Sequence, residues 1–218
     1  MPPSSMPPAN LAALVAEHQQ LWPLLPALHL EIGKLADKAA VRACAKRLGM
    51  LAKEDGRQTV KFDHEPAMDA FQDYLIYMYR PRGLSLTQQM RNRNRYPQGS
   101  DQQRLLAAMA QARFSIFWIK EPVPEGGLIA LDIISGRDFF ILDPTLPRQD
   151  LAGILTGLRI FPHKNVWMHT GASLALGQIE DSADLAPLSK TLTPEEERQL
   201  NEDAICRWHQ VLGQTTAA

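Results

Sequence analysis

The sequence predicts an α+β protein: a helical N-terminal region, a small antiparallel β-sheet or barrel of five to six strands, and a C-terminal amphipathic helix. Three observations carry this expectation. Through the first 112 positions apolar residues recur mostly at three- and four-residue spacing. From Arg113 they change to short β-branched and aromatic runs bounded by Gly, Pro, Asn or Asp. Near the end, Thr193-Pro194-Glu195-Glu196 has the residues of a helix start, with Thr as cap, Pro in first position and Glu196 completing a capping box. The expected division is a flexible tail over residues 1–10, a helical region over 11–112 and a β module over 113–176. An acidic linker over 177–192 and a C-terminal helix over 193–212 complete it.

In chain order, Asn10 is placed to cap a helix reaching Gln20, with Leu11, Leu14, Val15 and His18 at helical spacing. Pro23 and Pro26 then interrupt the apolar stretch Leu21–Leu30, because proline removes a backbone donor and clashes with the preceding turn. A second helix is expected from Asp37 to Lys53, striped by Val41, Cys44, Ala45, Leu48, Leu51 and Ala52, with Gly56 after it. Thr59–Phe62 reads as a short extended piece. Asp63-His64-Glu65-Pro66 opens a third helix whose face is Ala67, Met68, Phe71, Tyr74, Leu75 and Met78, ending near Arg80–Gly83. A short helix follows from Ser85 to Asn92, and Ser100–Gln103 has capping-box spacing for another reaching Ala112.

The strand-like runs are Arg113–Ile119, Leu128–Ile134, Asp138–Leu142, Ile154–Ile160 and Val166–Thr170, with Ala172–Leu176 as a sixth. Ile134–Asp138 is a tight hairpin signal and Pro122–Gly127 a longer one. Helices are not expected between these runs, so antiparallel pairing follows. Several runs are apolar on both faces, which calls for a curled sheet or barrel covered on one side by helices. Trp118, Trp167, Phe117, Phe139 and Phe140 should build its core.

At 218 residues, 45% hydrophobic and 22% charged, the chain has the composition of a packed globular protein, and its net charge of −1 gives no global attraction to nucleic acid or membrane. Cys44 and Cys206 lie far apart, which supports neither a disulfide framework nor a cysteine zinc site and points to a reducing, cytoplasmic setting. Met1–Asn10 carries four prolines and lacks the pattern of a signal peptide, and no apolar run approaches the ~18–20 residues that cross a bilayer. No membrane contact and no cofactor are expected.

Arg113-Phe114-Ser115, the Asp132–Gly136 hairpin, Gly157-Leu158-Arg159 and the close Trp167-Met168-x-x-Gly171-Ala172 together resemble a β module of uncharacterised bacterial proteins, some of which also carry a Cys-rich SEC-C zinc-binding motif. The resemblance covers residues 113–176, about a third of the chain. It implies a helical region followed by a β module and transfers no catalytic residue. The SEC-C motif itself is absent, so metal binding by that part does not carry over.

Between Arg80 and Arg113 the chain has seven arginines and one acid, Asp101. Arg80, Arg82, Arg91, Arg93, Arg95 and Tyr96 are therefore the candidate anion-binding residues: guanidinium forks match phosphate oxygens, and a guanidinium plane or tyrosine ring stacks on an exposed base. The bland alternative is pairing with the acids of 178–218, where Glu180, Asp181, Asp184, Glu195, Glu196, Glu197, Glu202 and Asp203 face three bases. Trp208 and Leu200 on the last helix are candidate interface residues. His163 and His169, six apart, are weak metal-ligand candidates beside Asp143 or Asp132, since an extended chain would point both to one face. His64, between Asp63 and Glu65, is a candidate general base whose alternative role is helix capping.

The expected function is a non-catalytic binding or adaptor protein. Its arginine segment and acidic C-terminal helix would contact a protein partner or a second copy of the chain. The alternatives are RNA or single-stranded nucleic-acid binding through residues 80–113, and an enzyme with a histidine–carboxylate or metal site.

Overall fold

The computed structural model describes residues 3–54, 56–146, 151–181, 183 and 185–215, with side chains to residue 212. Met1, Pro2 and Asp184 from the readings above lie outside the described residues. The chain forms two compact units: residues 24–110 make one, and residues 1–23 with 111–218 make the other. The expected helical region is thus divided at Pro23, and its first helix belongs with the strands. No helix among the described residues is long and apolar enough to cross a membrane.

The helical unit contains α2 (Leu24–Gly33), α3 (Lys38–Arg47), the hairpin β1 (Leu51–Glu54) and β2 (Arg57–Val60), α4 (Glu65–Tyr77), α5 (Leu86–Asn92) and α6 (Asp101–Met109). Pro26 sits in the first turn of α2, where its missing N–H costs nothing. Asp37 caps α3 by accepting from the Ala40 amide at 2.7 Å. The expected helix to Lys53 stops instead at Arg47. Gly49 takes a left-handed φ of +69°, the Met50 amide bonds back to Ala45 O at 2.8 Å and the Gly49 amide to Lys46 O at 3.3 Å. This double closure ends the helix and sends Leu51 and Ala52 into a strand. Met68, expected on the buried face of α4, is 48% exposed.

The second unit is α1 (Leu11–Leu21), β3 (Arg113–Val123), β4 (Gly127–Asp132), β5 (Arg137–Leu142), β6 (Ile154–His163), β7 (Val166–Gln178) and α7 (Pro194–Thr215). Its five strands close into a barrel in the order β3-β4-β5-β7-β6. Every pairing is antiparallel except β5 with β7, which meet in parallel at Ile141 and Trp167. The exception is a matter of parity, because a closed ring of five strands cannot alternate direction all the way round. The two runs expected on either side of Gly171 form one strand, with Gly171 at φ +108°. The β3–β4 turn requires glycine at 127, since a Cβ there would lie 2.0 Å from Ile141 O.

The barrel core is Phe117, Ala130, Phe139, Ile141, Leu158 and Ile160, with Trp167 packed against it. Two elements cover the outside. The helix α7 packs on β3 and β7 and buries Ala204, Ile205 and Trp208. The N-terminal segment, expected as a flexible tail, docks at the parallel seam. The Ser4 amide donates to Asn165 O at 2.7 Å, and Ser4 O accepts from the Phe140 amide at 3.3 Å. Asn10 stands at the start of α1 but makes no side-chain capping bond.

Candidate functional site

In the helical unit, α5 is only seven residues long and is held on one face. Ser85 and Gln88 form a reciprocal capping box, Leu86, Thr87 and Met90 are buried, and the Thr87 hydroxyl donates to Ile76 O at 3.0 Å. With that face anchored, the helix exit carries the arginines. Arg91 lies in the last turn, Arg93 is the C-cap, and Asn94 turns the chain at φ +48°, a left-handed conformation that asparagine tolerates. Arg91, Arg93 and Arg95 are all exposed, and Tyr96 is half-buried beside them in sequence. Arg82 is exposed too, at φ +61° in the turn Pro81–Gly83.

Among the described residues, no carboxylate pairs with Arg82, Arg91, Arg93 or Arg95. Glu31 senses Arg95, but it is bonded to Lys34 at 2.5 Å, and that bond is the main cause of its lowered pKa. The remaining arginines of the segment differ. Arg80 is half-buried with its Nε lacking an acceptor. Arg104 is bound to Asp101. Arg113 belongs to the barrel unit, where it pairs with Asp132 at 3.2 Å.

The acids of the C-terminal helix are bonded inside the barrel unit. Glu197 accepts from the Phe114 amide at 2.7 Å and from Arg159 at 3.2 Å. Glu195 and Glu202 flank Arg198, and Glu196 accepts from Thr193 and Lys190, which bring its pKa down to about 2. Trp208, a candidate interface residue, is 4% exposed, because the helix turns it inward, and Leu200 is half-buried.

The histidines take structural positions. His64 caps α4, its Nδ1 accepting from the Ala67 amide at 3.2 Å. His163 and His169 do not flank one strand. A turn at Lys164 and Asn165 separates them, so they sit on β6 and β7 respectively, and His163 lies 3.4 Å from Glu17. His169 has both ring nitrogens engaged, Nε2 with Asp143 at 2.6 Å and Nδ1 with the Gly171 amide at 3.1 Å. Both nitrogens are bonded within the chain, and no cluster of three His, Cys, Asp or Glu among the described residues could hold a metal ion.

Two features went unread. One is the stack of His18 on Trp22 at 5.0 Å, with Trp22 in turn 5.0 Å from His169. Nothing in the local pattern marks it, because α1 and β7 are far apart in the chain. The other is the role of Asp132, expected only as a carboxylate beside a metal site or within a hairpin: it is fully buried and saturated by Ser115, Ser135, Arg113 and the amides of residues 134 and 135. Its signal was present: an aspartate closing an apolar strand before Ser-Gly is placed to organise a turn.

On β4 and β5 of the barrel, Ile129, Phe140 and Leu142 are buried. No curated protein and no solved structure matches the chain. The family model for a family of unknown function, DUF7986, matches residues 17–211, and the chain belongs to that family.

Proposed function

We propose that this protein binds single-stranded nucleic acid, RNA or DNA, through the arginines at the exit of α5. One observation carries the reading: Arg82, Arg91, Arg93 and Arg95 are exposed on a locally anchored frame and have no carboxylate partner among the described residues. A guanidinium without an internal acid keeps its donors available for phosphate oxygens. Tyr96 adds a ring on which a base can stack. Contacts of this kind grip the backbone without reading a sequence. The free thiols Cys44 and Cys206 fit a reducing compartment such as the cytoplasm.

An acidic protein surface, or a second copy of the chain, is the competing occupant of the same arginines. The bonded state of the C-terminal acids makes that helix a poorer complement than the sequence suggested. Anisotropy of a labelled single-stranded oligonucleotide, followed as salt is raised, separates the two. Binding should weaken steeply with salt, by about 0.7 log units per tenfold salt for each phosphate engaged. The triple variant R91A/R93A/R95A should lower that slope by about 2 and weaken binding at least tenfold at low salt. An oligonucleotide that does not bind, or that binds the variant equally well, overturns the reading.

A further inference from the structure

We propose that the barrel mouth is a separate anion site, which holds a single phosphate group between Arg113 and Arg137. The cleft has a volume of about 100 Å³ and is lined by Arg113, Ser115, Asp132, Ser135, Arg137 and Lys190, among others. That is small beside the ~300–1,000 Å³ of pockets for larger organic ligands, so it suits one tetrahedral group and not a nucleoside.

Three facts point to an anion. First, the acids of the cleft are already used. Asp132 accepts from two hydroxyls, two amides and Arg113, and Glu197 accepts from Arg159 and the Phe114 amide. Second, two guanidiniums share one aromatic ring: Arg113 lies 4.6 Å and Arg137 5.8 Å from the centre of Phe139. The Arg137 charge acts on Arg113, and an anion in the cleft that both line offsets that repulsion. Third, donors remain. The Nε of Arg113 is buried without an acceptor, and Arg137 has no carboxylate partner among the described residues. Burial depresses the pKa of Arg113; the charge and hydrogen bond of Asp132 and the charge of Glu197 oppose this, and the Arg137 charge acts in the same direction as burial.

The site is also held in shape before any ligand arrives. Asp132 fixes one end of the Arg113 guanidinium at 3.2 Å, while Phe139 and Trp167, the latter at 5.4 Å, fix its plane. A fork positioned in this way loses little freedom on binding.

The test uses the full chain and inorganic phosphate, titrated calorimetrically at constant ionic strength against chloride. Saturable binding is expected, weakened at least tenfold in R137A and only partly restored in R137K, since lysine keeps the charge without the fork. Arg137 is exposed, and equal melting of wild type and both variants in chloride verifies their folding. Phosphate stabilises folded proteins by exclusion as well, so the comparison with R137A is what counts. The variant R91A/R93A/R95A should bind phosphate like wild type, which separates this site from the nucleic-acid reading. Heats that do not saturate, or equal affinity in R137A, overturn the proposal.

Discussion

A guanidinium in the middle of an apolar strand is costly to bury, and Arg159 is 1% exposed. It is tolerated because its donors are matched. Glu197 takes one at 3.2 Å, Asn201 takes another at 2.8 Å, and the guanidinium carbon lies 5.5 Å from the centre of the Phe114 ring. All three ties hold α7 and the outer face of β3 to β6. Replacing Arg159 with Ala leaves Glu197 and Asn201 facing an empty, buried position, with an expected loss of about 3–5 kcal/mol. Urea unfolding followed by tryptophan fluorescence measures it, because Trp22, Trp118, Trp167 and Trp208 all belong to this unit. A loss under about 1 kcal/mol, the contribution of an exposed pair, would overturn this expectation. At this scale the sequence was partly legible. A charge inside Ile-Leu-Thr-Gly-Leu-Arg-Ile asks for a partner, but nothing local says that the partner is Glu197, 38 residues on.

Elements were legible where local chemistry sets their ends. The Glu196 box forms as the residue spacing demands, and of the box expected at Ser100–Gln103 the Ser100 cap forms while the Gln103 side chain accepts from the Gly99 amide instead. The misreading of α3 has a local cause as well: Leu51 and Ala52 continue a helical stripe, yet Gly49 two residues earlier closes the helix. A positive-φ glycine outranks the periodicity beyond it, since the backbone has already turned. Because α5 presents the arginines, its cap can be tested directly. Ser85→Ala should cost about 1 kcal/mol in the opening of α5, seen as faster hydrogen exchange of its amides. Unchanged exchange would mean that burial of Leu86 and Met90, not the cap, holds the helix exit.

For the whole barrel unit, pH should act through groups buried beside α1. Burial pushes the pKa of His18 down to about 4; the Asp143 charge opposes this, and His169 and His163 reinforce it. Both ring nitrogens of His18 lack a partner, so the fold holds the neutral form. The unfolded chain takes up this proton first, so stability is full above about pH 6.5 and falls as pH drops toward about 4. The loss is about 3 kcal/mol. Asp143 behaves differently. Burial alone would raise its pKa, but the hydrogen bond and charge of His169 and the Thr145 donors hold it well below the ordinary range. Its contribution is lost at still lower pH, below about 3.9. Tryptophan-monitored unfolding from pH 8 to 4 should show the first decline, and His18→Leu should flatten it. An equal decline in the variant assigns the effect elsewhere.

By itself the sequence determined the class of most segments and many element boundaries, because caps, prolines and hydrophobic periods act within a few residues. Only the tertiary structure decided which charges are neutralised. The arginines between 80 and 113 divide into exposed side chains without a carboxylate partner around α5 (Arg82, Arg91, Arg93 and Arg95), an Arg104 bound to Asp101, and a half-buried Arg113 paired with the buried Asp132 in another unit. The physical reason is reach. A hydrogen-bonded cap is a property of neighbours in the chain, whereas an ion pair or a closed barrel joins residues whose separation along the chain bears no relation to their distance in space.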